Sequence, residues 1–171
     1  MNANPRKYLT IFAIVGCVPW LYGGCHGSEV PLGSSRDAKL DTRLVGRWIC
    51  PSPGGEEVGA LGFFAFDENQ YYVEMGAPRK ITERFRAYST EVKGITFLNA
   101  QDLHKHGPPE KRGYYFARYS IEKNDLLTVR IVRESRLKGS EKTTAAIKAA
   151  LEQQIDDREL YDDSLKCTKS T

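Results

Sequence analysis

The sequence predicts an all-β domain with one C-terminal α-helix, folded as a roughly seven-stranded antiparallel barrel or a strongly curled sheet. Three observations predict it. Between Leu44 and Arg133, short apolar runs are separated by turn-forming residues with no helical period between them, and strands joined so closely pair antiparallel. Within the runs, side chains alternate: Tyr71, Val73 and Met75 share one face and Gln70, Tyr72 and Glu74 the other, while Leu127, Val129 and Ile131 oppose Thr128 and Arg130. That period of two marks a strand with one dry face. After Arg133 the apolar spacing changes to that of an amphipathic helix.

The first strand runs from Leu44 to Cys50 and stops at Pro51-Ser52-Pro53-Gly54-Gly55, which continues neither strand nor helix. Ala60 to Phe66 and Gln70 to Met75 flank Asp67-Glu68-Asn69 and read as a hairpin. Ile81 to Tyr88, Gly94 to Asn99, Gly113 to Ile121 and Leu126 to Arg133 follow, with Lys123-Asn124-Asp125 turning between the last two. Such a sheet either packs on a partner or curls shut, and closure removes its exposed edges. From Thr144 to Asp156, Ile147, Leu151 and Ile155 recur every fourth residue, with Lys148, Glu152 and Gln153 outward. This places a helix within 142–157 on the sheet. Leu160, Tyr161 and Leu165 suggest a further short turn that carries Cys167 back to the body.

Arg6 and Lys7 precede an apolar run from Tyr8 to Leu21, the layout of a secretory signal peptide, expected over 1–24. The run is short for a membrane span, which needs roughly 20 apolar residues. Ile14-Val15-Gly16-Cys17 resembles the bacterial lipobox, and Tyr22-Gly23-Gly24-Cys25 resembles it less closely. Cysteine parity favours the second: acylation at Cys25 leaves Cys50 and Cys167 as an even pair, whereas acylation at Cys17 leaves an odd thiol. Lipidation is therefore expected at Cys25, with Cys17, or plain cleavage near Gly24, as the alternatives. The partner of the anchor is a lipid bilayer. No Asp follows either cysteine, so similarity to proteobacterial lipoproteins implies export to the outer membrane, facing the periplasm. Gly, Ser, Pro and charge dominate up to Lys39, so 25–39 reads as a flexible tether. The single domain then spans 40–171.

The chain of 171 residues carries a formal charge of +3, and removing Arg6 and Lys7 with the signal leaves 23 basic against 22 acidic groups. Nucleic acid needs a basic excess to neutralise phosphate and is not expected as a partner. The sequence has no Gly-x-Ser-x-Gly elbow and no phosphate loop. The paired carboxylates Glu56-Glu57, Asp156-Asp157 and Asp162-Asp163 are adjacent and so cannot face one point as a dyad. No catalytic residues or cofactors are expected, and the chain is not read as an enzyme. His104 and His106 supply two ligands, with His26 the only other histidine, short of the three or four that zinc requires, so no metal site is expected. In an oxidising compartment Cys50 and Cys167 read as a disulfide.

Gly46-Arg47-Trp48, on the first strand, resembles the Gly-x-Trp signature that opens lipocalins and related calycin-type barrels. That resemblance implies a Trp48 that closes one end of the barrel, with a basic residue from the last strand, Arg130 or Arg133, packed across its ring. The wider layout, Leu-Val-Gly-x-Trp-x-Cys followed by a strand-rich body and a helix before a final Cys, looks like a group of bacterial lipoproteins for which the resemblance implies no activity. Tyr71, Val73, Met75, Leu127, Val129 and Ile131 are expected to face inward. Two functions compete: a module holding a small hydrophobic or amphipathic ligand in the barrel mouth, or a filled barrel whose outer face meets another envelope protein. An open lumen of roughly 300 Å³ or more favours the first.

Overall fold

The structure is a computed structural model and describes residues 27–51, 58–77, 79–104, 112–123, 125–140, 142–162 and 164–170. The segment expected to be a signal peptide, Cys17, Cys25, His26 and His106 lie outside the described residues.

Strands β1 (Gly46–Pro51), β2 (Val58–Ala65), β3 (Tyr71–Ala77), β4 (Lys80–Val92), β5 (Ile95–Asp102), β6 (Tyr114–Ile121) and β7 (Leu126–Ile131) follow the predicted order. Helix α1 (Thr144–Gln154) and β8 (Leu165–Lys169) complete the chain. Each strand pairs antiparallel with the next, and β8 returns to β1, so the eight strands form a closed up-and-down barrel. This closed barrel with one helix is compatible with a lipocalin-like architecture.

The short turn expected at Leu160 and Tyr161 is present as a single 3-10 turn over Arg158–Leu160, whereas Leu165 opens an eighth strand that was not expected. Leu165-Lys166-Cys167-Thr168-Lys169 alternates inward and outward, with Cys167 buried and Lys166 and Thr168 exposed on either side of it. The seam it forms with β1 is short: Trp48 lies opposite Lys169 and Ile49 opposite Thr168. One register step further, Cys50 and Cys167 are joined as a disulfide. The bridge therefore staples the two strands whose pairing closes the barrel.

α1 is shorter than the expected 142–157. Thr143 caps it, its hydroxyl accepting from the Ala146 N–H at 3.2 Å, and the helical ladder ends at Gln154. Its apolar stripe, Ile147 and Leu151, packs with Val92, Phe97 and Phe116 on the outer face of β4 to β6. Two cores result, one inside the barrel around Trp48, Phe63 and Tyr71, and one outside it beneath α1.

The residues from 27 to 39, read from composition as part of a flexible tether, are instead bound to the barrel. Leu32 is fully buried in the outer core. Its N–H donates to Asn99 Oδ1 at 2.7 Å, and Asn99, itself buried on β5, donates through Nδ2 to Thr90 Oγ1 at 3.0 Å. Tyr88 donates to the Gly33 carbonyl at 2.8 Å, and Thr144 on α1 to the Pro31 carbonyl at 2.8 Å. Polar composition missed this because one leucine and a set of backbone groups carry the docking, with no periodic apolar face.

The strap starts against β6. Ser28 and Tyr114 exchange backbone hydrogen bonds of 2.8 and 2.7 Å. The approach needs glycine on both sides: a Cβ on Gly113 would stand 2.9 Å from the Gly27 backbone, and one on Gly27 would stand 2.6 Å from the Tyr114 carbonyl oxygen.

Candidate functional site

The two ends of the barrel differ because of what the inward positions carry. At the end formed by the β2–β3, β4–β5 and β6–β7 turns, bulky side chains fill the interior. Trp48 is fully buried and donates from its indole N–H to the Leu44 carbonyl at 2.8 Å. This ties the ring to the segment that crosses beneath it. Gly46 holds a φ of +133°, and a Cβ there would meet Lys169 Cε at 2.9 Å. Glycine in the Gly-x-Trp triplet thus makes room for the lysine, whose Nζ lies 5.2 Å from the Trp48 ring centroid. The cation over Trp48 is therefore Lys169, from the true last strand, and not Arg130 or Arg133 as the seven-strand reading implied.

Tyr71 and Tyr119 lie in the same filled end. The Asp41 N–H donates to the Tyr71 hydroxyl at 2.6 Å, and Asp41 is held by Arg43 through Nη2 at 2.7 Å and Nε at 2.9 Å. The Arg43 hydrogen bond keeps the Asp41 carboxyl below the usual carboxylate range. Burial pushes the Tyr119 hydroxyl up to about 12 and raises that of Tyr71 as well. The two tyrosines therefore stay protonated and help fill the end.

The opposite end is open. A cavity of about 520 Å³ enters the barrel there, lined by residues of β2 to β8. Its width comes from small side chains: Ala87 lies opposite Ala100, and Ala117 lines the next strand opposite Leu98. Its walls come from Phe63, Val73, Met75, Leu98, Val129 and Ile131, with Phe85 and Tyr115 in edge contact at a centroid distance of 6.4 Å. Two carboxylates, Glu83 and Asp102, are the charged residues among the described lining.

The structure thus turns the six residues expected inward to the inside, but divides them. Val73, Met75, Val129 and Ile131 line the cavity, whereas Tyr71 and Leu127 are packed in the interior core. Sequence reasoning missed Ala87, Ala100 and Ala117, because alternation was sought among large apolar residues and the void is made by small ones. It also missed Glu83 and Asp102. Each sits at the inward parity of its strand, two residues from Phe85 and Ala100 respectively, a signal that was present in the pattern.

Arg130 and Arg133 lie elsewhere, on a polar depression of about 600 Å³ between the outer faces of β6 and β7 and the segment after α1. Arg133 pairs with Asp162 at 2.9 Å and Glu159 at 3.3 Å, and Arg136 pairs with Asp157. Cations and carboxylates alternate there and neutralise one another. His104, the described member of the histidine pair, has Nε2 3.4 Å from Arg84 Nη1. Among the described residues no group of three or more His, Cys, Asp or Glu converges as a metal site, and no helix is long and apolar enough to cross a membrane.

No protein-family model, curated protein or solved structure matches the chain at a significant level. The barrel's own geometry carries the functional reading.

Proposed function

We propose that the protein is a non-enzymatic envelope lipoprotein whose barrel holds a small apolar or amphipathic molecule. The observation that carries this reading is the cavity of about 520 Å³ at one end of an otherwise filled barrel. Ligand sites typically measure about 300 to 1,000 Å³, with apolar walls and a few polar groups. A module that met partners only through its outer face would gain nothing from small residues at Ala87, Ala100 and Ala117, since each space left unfilled forfeits packing energy.

The strap adds a geometric consequence to the anchor. Tyr114 begins β6 beside the open end, and Ser28 is bonded to it. Acylation at Cys25 leaves three peptide steps before Ser28, a reach of at most about 11 Å. The mouth would then open next to the bilayer, where amphiphiles are concentrated. An anchor at Cys17 would lengthen the reach to about 40 Å and remove that constraint.

Mass spectrometry of the protein matured in the envelope tests both parts. A diacylglyceryl group on Cys25 is expected at the mature N-terminus, and organic extraction is expected to release a small apolar compound in near-stoichiometric amount. An unmodified start beyond Cys25 ends the lipoprotein reading, a modified Cys17 moves the anchor, and an empty barrel that also refuses lipid extract ends the ligand reading.

A further inference from the structure

We infer that the ligand is cationic: an apolar chain or ring system bearing a protonated amine, held with its tail in the lumen and its charge at the mouth between Glu83 and Asp102. The inference rests on the ligand-binding reading above. Two acids at a barrel rim would by themselves mean little. What gives them a consequence is the apolar cavity that they border and the absence of any Lys or Arg among its described lining residues.

The register fixes how the two carboxylates relate. Asp102 lies opposite Phe85, and Glu83 is two residues further along β4 on the same inward face. They are therefore diagonal neighbours across one antiparallel ladder, with backbones about 7 to 8 Å apart, close enough for one ammonium to meet both. Asp102 is half-buried and Glu83 exposed, so both meet water while empty and neither carries a full desolvation cost. The Asp102 Oδ1 accepts from the His104 N–H at 2.8 Å, which turns the carboxylate at the strand end. Arg84, the nearest cation in sequence, is directed to His104 and does not line the cavity. A fatty acid would bring its carboxylate against two others at this rim, where like charges repel. An alcohol could donate one hydrogen bond but would gain no charge pairing and meet no repulsion. An alkylamine places opposite charge where the wall is negative, in a partly dehydrated setting that strengthens the pairing.

The test uses three ligands that differ only in the head group, decylamine, decanol and decanoate, titrated against the chain from residue 25 onward with Cys25→Ser, so that no acyl group competes. The amine is expected to bind at least about tenfold more tightly than the alcohol at low salt and the acid more weakly than both, with the preference falling as salt screens the rim. In the double variant Glu83→Gln, Asp102→Asn, which keeps the acceptor for the His104 N–H, the three affinities are expected to fall within about threefold of one another while decanol binding is unchanged. Equal binding of all three by the unaltered protein overturns the cationic assignment and leaves the apolar-ligand reading in place. Failure of all three to bind overturns both. A preference for the amine that survives the double variant assigns the selectivity to other groups and likewise overturns the inference.

Discussion

Replacing Trp48 by Ala tests the closed end of the barrel. The ring is fully buried beside Leu44, with Lys169 over one face. Truncating a large buried aromatic costs about 3 to 5 kcal/mol, because the barrel strands cannot collapse into the space. Within that total, the Leu44 carbonyl loses the indole donor, about 1 kcal/mol, and Lys169 loses its ring contact, about 0.5 kcal/mol. For a domain of this size each kcal/mol moves the melting temperature by about 3 to 4 °C, so a fall of about 10 to 20 °C is expected. Trp48→Phe, which keeps a ring but not the donor, should fall between this variant and the native chain. Lys169→Met, which keeps the aliphatic stem but loses the ring contact and the bond to the Arg43 carbonyl, should cost about 1 to 2 kcal/mol. The assay is thermal unfolding followed by far-ultraviolet circular dichroism with the disulfide intact. A melting temperature for Trp48→Ala within about 2 °C of the native value would refute the assignment of Trp48 as the plug.

Loss of the Cys50–Cys167 bridge by Cys50→Ser, Cys167→Ser should destabilise by about 4 to 5 kcal/mol in the chain-entropy model, since the bridge closes 117 residues; denaturant unfolding measures it, and recovery of both cysteines as free thiols from protein folded under oxidising conditions would contradict the pairing. Stability should be flat up to about pH 10 and decline above it, because burial raises the hydroxyls of Tyr71, Tyr88, Tyr114 and Tyr161 and lifts that of Tyr119 to about 12 against an ordinary 10. The protonated forms are the ones the fold favours, so the contribution is whole below about pH 10; Tyr119→Phe should make the decline shallower, and an unchanged alkaline limb would count against the buried Tyr119 hydroxyl. Gly113→Ala would force a Cβ against the Gly27 backbone at 2.9 Å and should cost about 1 to 3 kcal/mol. Limited proteolysis should then cut within 28–38 in that variant and spare the native chain.

Seven strands, their alternation and the helix were legible because each carries local signals: apolar residues at period two or near period four, bounded by turn residues. The eighth strand has the same alternation, Leu165 and Cys167 inward, but it is five residues long and carries two lysines. It is a strand because β7 on one side, from Leu126 to Val129, and Trp48, Ile49 and the Cys50 bridge on the other await it. Misplacing it also misplaced the cation on Trp48, assigned to Arg130 or Arg133 when the final strand supplies Lys169. The strap was hidden for another reason. Leu32 docks through a backbone N–H to Asn99, 67 residues distant in sequence, and no composition reports such a bond. As for the cavity, a large inward residue announces itself, whereas the space left by Ala87, Ala100 and Ala117 depends on how three strands align, which only the register defines.

The most direct test of the ligand-binding claim fills the space without touching the plug. Ala100 faces the lumen opposite Ala87, so Ala100→Phe places a ring where the ligand would lie while leaving Trp48, the seam and the outer core unchanged. The native domain is titrated with N-phenyl-1-naphthylamine, whose fluorescence rises in apolar surroundings. About 17 non-hydrogen atoms at about 0.4 kcal/mol each imply a Kd on the order of 10 µM. Burial of the probe should also give a negative heat-capacity change. The account predicts saturable binding by the native chain, displacement by decyl amphiphiles, and loss of at least about tenfold in affinity in Ala100→Phe with its circular dichroism unaltered. Binding of equal strength in both proteins, or none in the native chain, would contradict it.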